Sequence, residues 1–348
     1  MPFRKAIVQR NNALVEEDLP LPSLEKTQVL VKVIASSLNP TDVQSFDGDA
    51  FGDGAVLGCD FAGIIEEIGS SVTQLKRGDK IAALIWGGEI EGLGAYSTYC
   101  VAEEGICFKI PSGLDYASAS TVPLAANTAW LALFSKDCLN IPRTGSSGIS
   151  LLVWGGSSTV GAYAIQIARM HGFNIVTTCS PQNFDVVKKH GARHVFDYND
   201  PNVVQKIAEA VPNLAYAFDC IGNETSSTMS AEAMSAKEDG VICTVRPGKA
   251  FTENVPENVK VTDVLVFTAF LKPHVYKKVY KWPTQHEDHA LSREMYEKIG
   301  GWFQNGEMTP QTPKDMGVLS VKSLEEAMEW NRRGKVSNEK LCFQVADM

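Results

Sequence analysis

The sequence predicts an α/β protein of two domains, a β-rich one followed by a doubly wound parallel sheet. Three observations carry this. A chain of 348 residues exceeds what one ordinary core serves and suits two domains. The N-terminal third is rich in Gly and β-branched residues, with strand-like runs at 28–34 and 80–85. From Ser150 onward, apolar runs alternate with helical segments, the pattern of a parallel sheet covered on both faces.

Within that second part the expected strands are 151–154, 174–179, 194–196, 216–220, 241–245 and 264–268, a set that suits a Rossmann-type sheet. An aromatic and basic stretch follows Phe270, then a helix over 291–304, a helix over 323–333 and a closing strand over 340–345. Hydrophobic content of 44% with 21% charged residues describes a packed globular protein, which excludes a disordered or fibrous chain. A net charge of -9 disfavours a nucleic-acid partner, which calls for clustered Lys and Arg. The start lacks the long apolar core of a signal peptide and no run approaches a membrane span, so a cytoplasmic enzyme or binding protein is expected. The eight cysteines are scattered without a Cys-x-x-Cys pair, which reads as reduced and mostly buried.

The clearest motif is the turn after the first strand of the second domain: Gly155, Gly156, Ser157, Ser158, Thr159, Val160 and Gly161, leading into a helical run at 162–171. Glycines there let the backbone approach a pyrophosphate, and a helix N-terminus offers unpaired N–H groups and a positive dipole end. The pattern is G-x-S-x-x-G, with Ser158 where the middle glycine of the dinucleotide fingerprint stands. At the tip of the next strand an NAD enzyme carries Asp or Glu for the ribose 2′-OH. Here the residues are Cys179, Ser180, Pro181, Gln182 and Asn183, without a carboxylate. Ser180 and Asn183 can donate to a 2′-phosphate and Lys188 adds charge, which favours NADPH. A plain Asx turn capping a helix at Asn183 is the competing reading.

The residues so far resemble the medium-chain dehydrogenase/reductase superfamily across nearly the whole chain. Zinc alcohol dehydrogenases of that superfamily place a cysteine in a C-x-T/S-D segment and a histidine in a G-H-E segment on the metal. The corresponding segments read Asn39-Pro40-Thr41-Asp42 and Gly58-Cys59-Asp60, and no histidine precedes His171. Only Cys100 and Cys107 lie where the four-cysteine structural lobe would be. Both metal sites are therefore expected to be lost. Without a Lewis acid to hold an alkoxide, the chemistry shifts from alcohol oxidation toward hydride addition to an activated C=C.

Within the superfamily the chain resembles fungal trans-acting enoyl reductases that work beside polyketide synthases. The motifs are Asn39 to Asp42, Val122 to Ala129, Gly155 to Gly161, the Ser-Pro-Gln-Asn block at 180–183, Tyr198, and 334–341. The resemblance implies a GroES-like catalytic domain over 1–125, a Rossmann NADPH-binding domain over 126–272, and a return to the catalytic domain over 273–348. It implies that Asn39, Pro40, Thr41 and Asp42 border the cofactor. Gly156, Ser157, Ser158, Thr159, Val160 and Gly161 would hold the pyrophosphate, and Ser180, Pro181, Gln182, Asn183 and Tyr198 the 2′-phosphate end. Val245, Arg246, Val336 and Ser337 would approach the nicotinamide half. A substrate groove would use Val122, Pro123, Leu124, Ala125, Ala126, Asn127, Thr128 and Ala129 with Leu265, Val266, Phe267, Thr268 and Ala269.

The implied activity is NADPH-dependent reduction of an α,β-unsaturated polyketide thioester on an acyl carrier protein, in fungal secondary metabolism, by a monomer. Thr41 stands where the superfamily's relay hydroxyl does, and Gln44 and Asn127 are candidates to hold the carbonyl; these are the catalytic candidates, each with a structural alternative. Gln44 departs from the Lys that related reductases often carry, and a neutral amide lacks that charge. Tyr96 reads as a strand aromatic. Tyr276, Tyr280 and Trp282 amid Lys272, Lys277, Lys278 and Lys281 form either a carrier-docking surface or a solvated basic loop. A stand-alone quinone or enone reductase, and a non-redox cyclase or binding protein on the same fold, are the alternative functions.

Overall fold

The computed structural model describes residues 3–143, 148–234, 240–276 and 279–345. The chain divides into two compact units, Met1–Leu124 with Phe267–Met348, and Ala125–Val266. The second crossing thus falls before the expected Lys272.

The first unit opens with a hairpin of β1 (Phe3–Arg10) and β2 (Ala13–Pro20), closed in the register Arg10↔Ala13. Asn11 and Asn12 both take positive φ, 48° and 59°, as a two-residue turn of this hand requires. Its sheet is built around β3 (Gln28–Ser37). Then come α1 (Pro40–Asp47), β4 (Asp60–Ile68), β5 (Lys80–Leu84), β6 (Tyr99–Glu103), β7 (Cys107–Lys109) and α2 (Tyr116–Ser120). β3 pairs antiparallel with β4 along its length and with β6 over Gln28 to Lys32. It is correspondingly apolar on both faces, with Val29, Val31, Val33 and Leu30 all buried, as a central strand must be.

The helix α3 (Pro123–Phe134) leads into the second unit. Its sheet has six parallel strands among the described residues: β8 (Ser150–Trp154), β9 (Asn174–Cys179), β10 (His194–Asp197), β11 (Tyr216–Asp219), β12 (Gly240–Thr244) and β13 (Val259–Asp263). Their spatial order is β10-β9-β8-β11-β12-β13, so the chain runs outward from β8 in one direction and then in the other. That is the doubly wound order, with a switch point between β8 and β11. The crossover helices are α4 (Thr159–Met170), α5 (Phe184–His190), α6 (Val203–Ala210) and α7 (Ser226–Glu232).

One expected strand is displaced. The sixth is Val259–Asp263, paired with β12, and not 264–268; Val266–Ala269 is a 3₁₀ turn. Pairing decides it: Val259 to Asp263 run parallel to Gly240 to Thr244 of β12, and Lys260 facing water suits an edge strand. The unbroken apolar run that follows leaves the sheet.

The first unit is completed by a hairpin of β14 (His274–Tyr276) and β15 (Tyr280–Trp282), then α8 (His286–Gln304), β16 (Thr312–Val318), α9 (Val321–Arg332) and β17 (Glu339–Gln344). The last strand lies antiparallel to β3 with Cys342 opposite Ser37. All eight cysteines are free and buried. Among the described residues, no helix is long and apolar enough to cross a membrane.

Candidate functional site

In the second unit, the site is built at the carboxyl ends of β8, β9, β11 and β12. Gly155 turns with φ +85°, and its N–H donates to Thr178 Oγ1 at 3.1 Å. A Cβ on Gly156 would meet Thr177 Oγ1 at 2.0 Å, and one on Gly161 would meet the Gly155 carbonyl oxygen at 2.3 Å. These glycines let strand, turn and helix pack closely. Ser158 caps α4, its Oγ accepting from the Gly161 N–H at 3.1 Å. The middle position of the fingerprint thus serves as a cap, and the first-turn amides of Thr159 and Val160 are left for an anion. Ser157, Ser158, Thr159 and Val160 are all half-buried, so the turn is within a ligand's reach.

At the tip of β9, Ser180 Oγ lies 3.4 Å from the Tyr198 hydroxyl, and Tyr198 is 44% exposed. The structure therefore brings together two residues separated by a whole crossover. Pro181 and Gln182 are exposed; Asn183 is buried at the N-cap of α5, yet its side chain makes no capping bond, unlike an Asx cap. Asp197, at the end of β10, is held by the backbone and side-chain N–H groups of Asn199 at 2.9 and 3.1 Å.

Across the switch point, sequence reasoning missed Asp219. Fully buried at the end of β11, it accepts from the N–H groups of Ile221 and Gly222 at 2.9 and 3.0 Å and from the hydroxyls of Ser226 and Ser227 at 2.7 and 2.6 Å. That fixes the loop after β11. Arg246, after half-buried Val245, donates through Nε to the Gly222 carbonyl at 2.6 Å and lies over the Phe251 ring. With Asn223 and Thr225, these residues line a cleft of about 340 Å³ at the strand ends. A turn a Cβ would fill, a capped helix start and a cleft beside the switch point together fit a dinucleotide.

In the first unit, Asn39 and Asp42 form a buried polar knot with Asp60 and Tyr96. Pro40 starts α1 and Asn39 caps it; the Asn39 N–H donates to Asp42 Oδ2 at 2.8 Å and the Asn39 amide donates to Asp60 Oδ2 at 2.9 Å. Asp60, fully buried, also accepts from the Leu124 N–H at 2.7 Å and from Lys340 Nζ, which is itself 3% exposed. Asp60 and Lys340 were the second miss. Tyr96 donates to Asp42 Oδ2 at 3.0 Å. Burial outweighs the donations from Asn39, Cys59 and Tyr96 and lifts the Asp42 carboxyl to about 6. Burial likewise pushes the Cys59 thiol and the Tyr96 phenol well up. Tyr96 stands in an irregular segment and not in a strand, but its ring is wholly buried, edge-on to Phe343.

Thr41 and Gln44 are half-buried on α1, and neither side chain is engaged in a hydrogen bond among the described residues. Val336 is half-buried and Ser337 exposed in the turn before β17. The expected groove residues are buried throughout: Val122 and Leu124 in this unit, Ala125, Ala126, Thr128, Ala129, Leu265 and Val266 in the other. Asn127, in the second unit, is 0% exposed, and neither its amide nitrogen nor its amide oxygen has a hydrogen-bond partner among the described residues. Phe267 stacks on Trp86 at 4.0 Å, and Thr268 donates to Asp288 at 2.6 Å, with Ala269 buried beside them. Of the basic stretch, Tyr276 is buried and Tyr280 stacks on Trp282, while Lys277 and Lys278 lie outside the described residues. Among the described residues no cluster of three or more His, Cys, Asp or Glu side chains is placed to hold a metal.

Comparison with known proteins follows the same division. The family described as "Alcohol dehydrogenase GroES-like domain" matches residues 25–112, and the one described as "Zinc-binding dehydrogenase" matches 159–282. A trans-enoyl reductase of Fusarium heterosporum is 34% identical over 347 residues, covering 93% of each chain. The enoyl reductase component of lovastatin nonaketide synthase from Aspergillus terreus is 30% identical over 345 residues, 94% of this chain and 91% of that one. The quinone oxidoreductase of Coxiella burnetii superposes with a TM-score of 0.74 at 23% identity, over 99% of this chain and 100% of that one, a likeness of fold.

Proposed function

The chain belongs to the medium-chain dehydrogenase/reductase superfamily, and from that premise we propose that it is an NADPH-dependent trans-acting enoyl reductase. Its substrate is an α,β-unsaturated polyketide thioester presented by an acyl carrier protein in fungal secondary metabolism. The observation that carries the reading is chemical. Where zinc dehydrogenases place a cysteine and a histidine on the metal, this chain has Asn39, whose amide donates to Asp60, and Cys59, and no histidine precedes His171 in the sequence. An alkoxide has no Lewis acid here, whereas an enolate needs only hydrogen-bond donors and orientation.

The bound nicotinamide would supply the hydride. The chain's own residues bind and orient. The first turn of α4 receives the pyrophosphate, and Ser180 with Tyr198 receives the 2′-phosphate by hydroxyl donation, with no carboxylate at the tip of β9 to repel it. Arg246, pinned to the loop after β11, shapes the cleft at the nicotinamide end. In the first unit Thr41 and Gln44, and in the second Asn127, have hydrogen-bonding capacity left over, and each is a candidate donor to the thioester oxygen or the carboxamide. Gln44 does so as a neutral donor.

The test compares NADPH and NADH as reductants of an enoyl thioester, free and carrier-tethered. The reading expects NADPH to be preferred and the tethered substrate to turn over faster. Equal rates on both substrates would make the protein a stand-alone enone reductase, and product formation without NADPH consumption would make it a non-redox enzyme.

A further inference from the structure

β17 and β4 flank β3, with Cys342 and Asp60 opposite Ser37, its last residue, from either side. Lys340 and Asp60 therefore meet just beyond the end of β3, where the chain turns into α1. Asp60 is 0% exposed and Lys340 3%. A buried ion pair adds little stability over packed apolar side chains, because both charges give up their water. What this pair adds is direction. One Asp60 oxygen accepts from the Asn39 amide at 2.9 Å and from Lys340 Nζ, and the other accepts from the Leu124 N–H at 2.7 Å. Lys340 Nζ also donates to the Thr121 carbonyl at 3.3 Å. Hydrogen bonds to charged groups are stronger than neutral ones, and here they reach two separate segments.

Those segments carry the expected site residues of the first unit: Thr41 and Gln44 on α1, and Val122 and Leu124 in the turn that starts α3. Neither segment holds itself in place. A helix of eight residues is too short to be stable alone. The far end of α1 is fastened by Asp47, which accepts from Arg332 Nε and Nη2 at 3.0 and 2.6 Å, a solvent-exposed pair that salt screens. The near end, beside Thr41, is fastened by the buried Asp60. In the other segment Pro123 has no N–H, so Leu124 supplies the first donor of α3 and Asp60 is its acceptor, while Tyr296 donates to the Pro123 carbonyl at 2.9 Å.

We infer that Asp60 and Lys340 are positioning residues for the reduction: the pair sets the Thr41 end of α1 against the 121–124 turn and keeps their separation fixed. The inference rests on the enoyl reductase reading for what the two segments receive. Neither member of the pair touches the reacting atoms; the pair acts through Asn39, Thr121 and Leu124.

Two variants of the whole protein test it. Asp60→Asn with Lys340→Met removes both charges at little change in size and strands neither. Asn39→Ala leaves the pair whole and cuts only its hold on α1, and it carries the test if the double variant does not fold. Amide hydrogen exchange reads the hold without turnover. Exchange over 41–47 is expected to speed up about tenfold or more in both variants, and that of Leu124 in the double variant alone, with Val31 in the middle of β3 unchanged. A single turnover, with one NADPH per protein and saturating crotonyl thioester, reads the chemistry. Its rate constant is expected to fall about tenfold or more at unchanged amplitude, since a small misplacement of reacting groups slows every molecule. A merely structural defect would lower the amplitude, by reducing the active fraction, and leave the rate constant alone. Asp47→Asn, at the far end of α1, is expected to keep the wild-type rate constant. Unmoved exchange in both variants, or a wild-type rate constant in a variant whose exchange has moved, overturns the positioning role. A wild type that oxidises no NADPH with the thioester overturns the enoyl reductase reading instead, and exchange still decides whether the pair holds the two segments.

Discussion

Asp42 shows how burial governs the polar knot of the first unit. Its carboxyl is buried with Asn39, Cys59 and Tyr96 donating to it, and burial wins, raising its pKa from 3.8 to about 6. A raised carboxylate means the folded state holds its proton more tightly than the unfolded one. Its contribution is therefore complete below 3.8 and is lost as pH rises through about 6. Asp42→Asn, which keeps an acceptor but cannot ionise, is expected to flatten this part of the stability profile, removing a fall on the order of 3 kcal/mol. Denaturant titrations across that window check it, and an unchanged slope would show that Asp42 is not the titrating group. Asn127 offers a second contrast at this scale. Asn127→Leu removes two unsatisfied polar atoms, so the free protein is expected to gain about 1–3 kcal/mol while kcat/KM for the enoyl thioester falls. A gain in stability with full activity would make the amide a structural blemish with no ligand.

The elements carry cofactor choice. Gly161→Ala would press a methyl against the Gly155 carbonyl, backbone that has nowhere to move, and is expected to cost both stability and dinucleotide affinity. Ser180→Asp places a carboxylate at the tip of β9, where it repels a 2′-phosphate and accepts from a ribose hydroxyl; the ratio of kcat/KM for NADPH over NADH is expected to fall by about tenfold or more. An unmoved ratio would place the 2′ end elsewhere. The glycine turn and the bare strand tip were legible in the sequence because both are local: a few adjacent residues state the whole requirement. The sixth strand was not. Residues 259–268 offer two adjacent strand-like runs, 259–263 and 264–268, and only pairing with β12 selects between them. Asp219 was invisible for a similar reason, since its four donors come from a loop and a helix whose positions follow from the sheet.

At the scale of the whole molecule, the chain's two ends meet in one unit. Lys340 on β17 and Asp60 on β4 are separated by 280 residues, and their buried pair joins the returning segment to the N-terminal sheet. No local pattern in sequence announces such a contact. Lys340→Met leaves Asp60 as an uncompensated buried charge and is expected to destabilise the protein by about 3–5 kcal/mol, with Asp60→Asn in the same chain restoring much of the loss. If the single variant melts as the wild type does, the pair is not what holds β17. The central claim concerns chemistry more than stability: a phosphorylated nicotinamide dinucleotide reduces a C=C bond on this fold with no metal assisting. The most direct measurement is the consumption of NADPH by chelator-treated protein supplied with a crotonyl thioester. The account predicts one saturated product for each NADPH consumed, at a rate that added zinc does not change. Absence of turnover, or turnover that returns only with zinc, would contradict it.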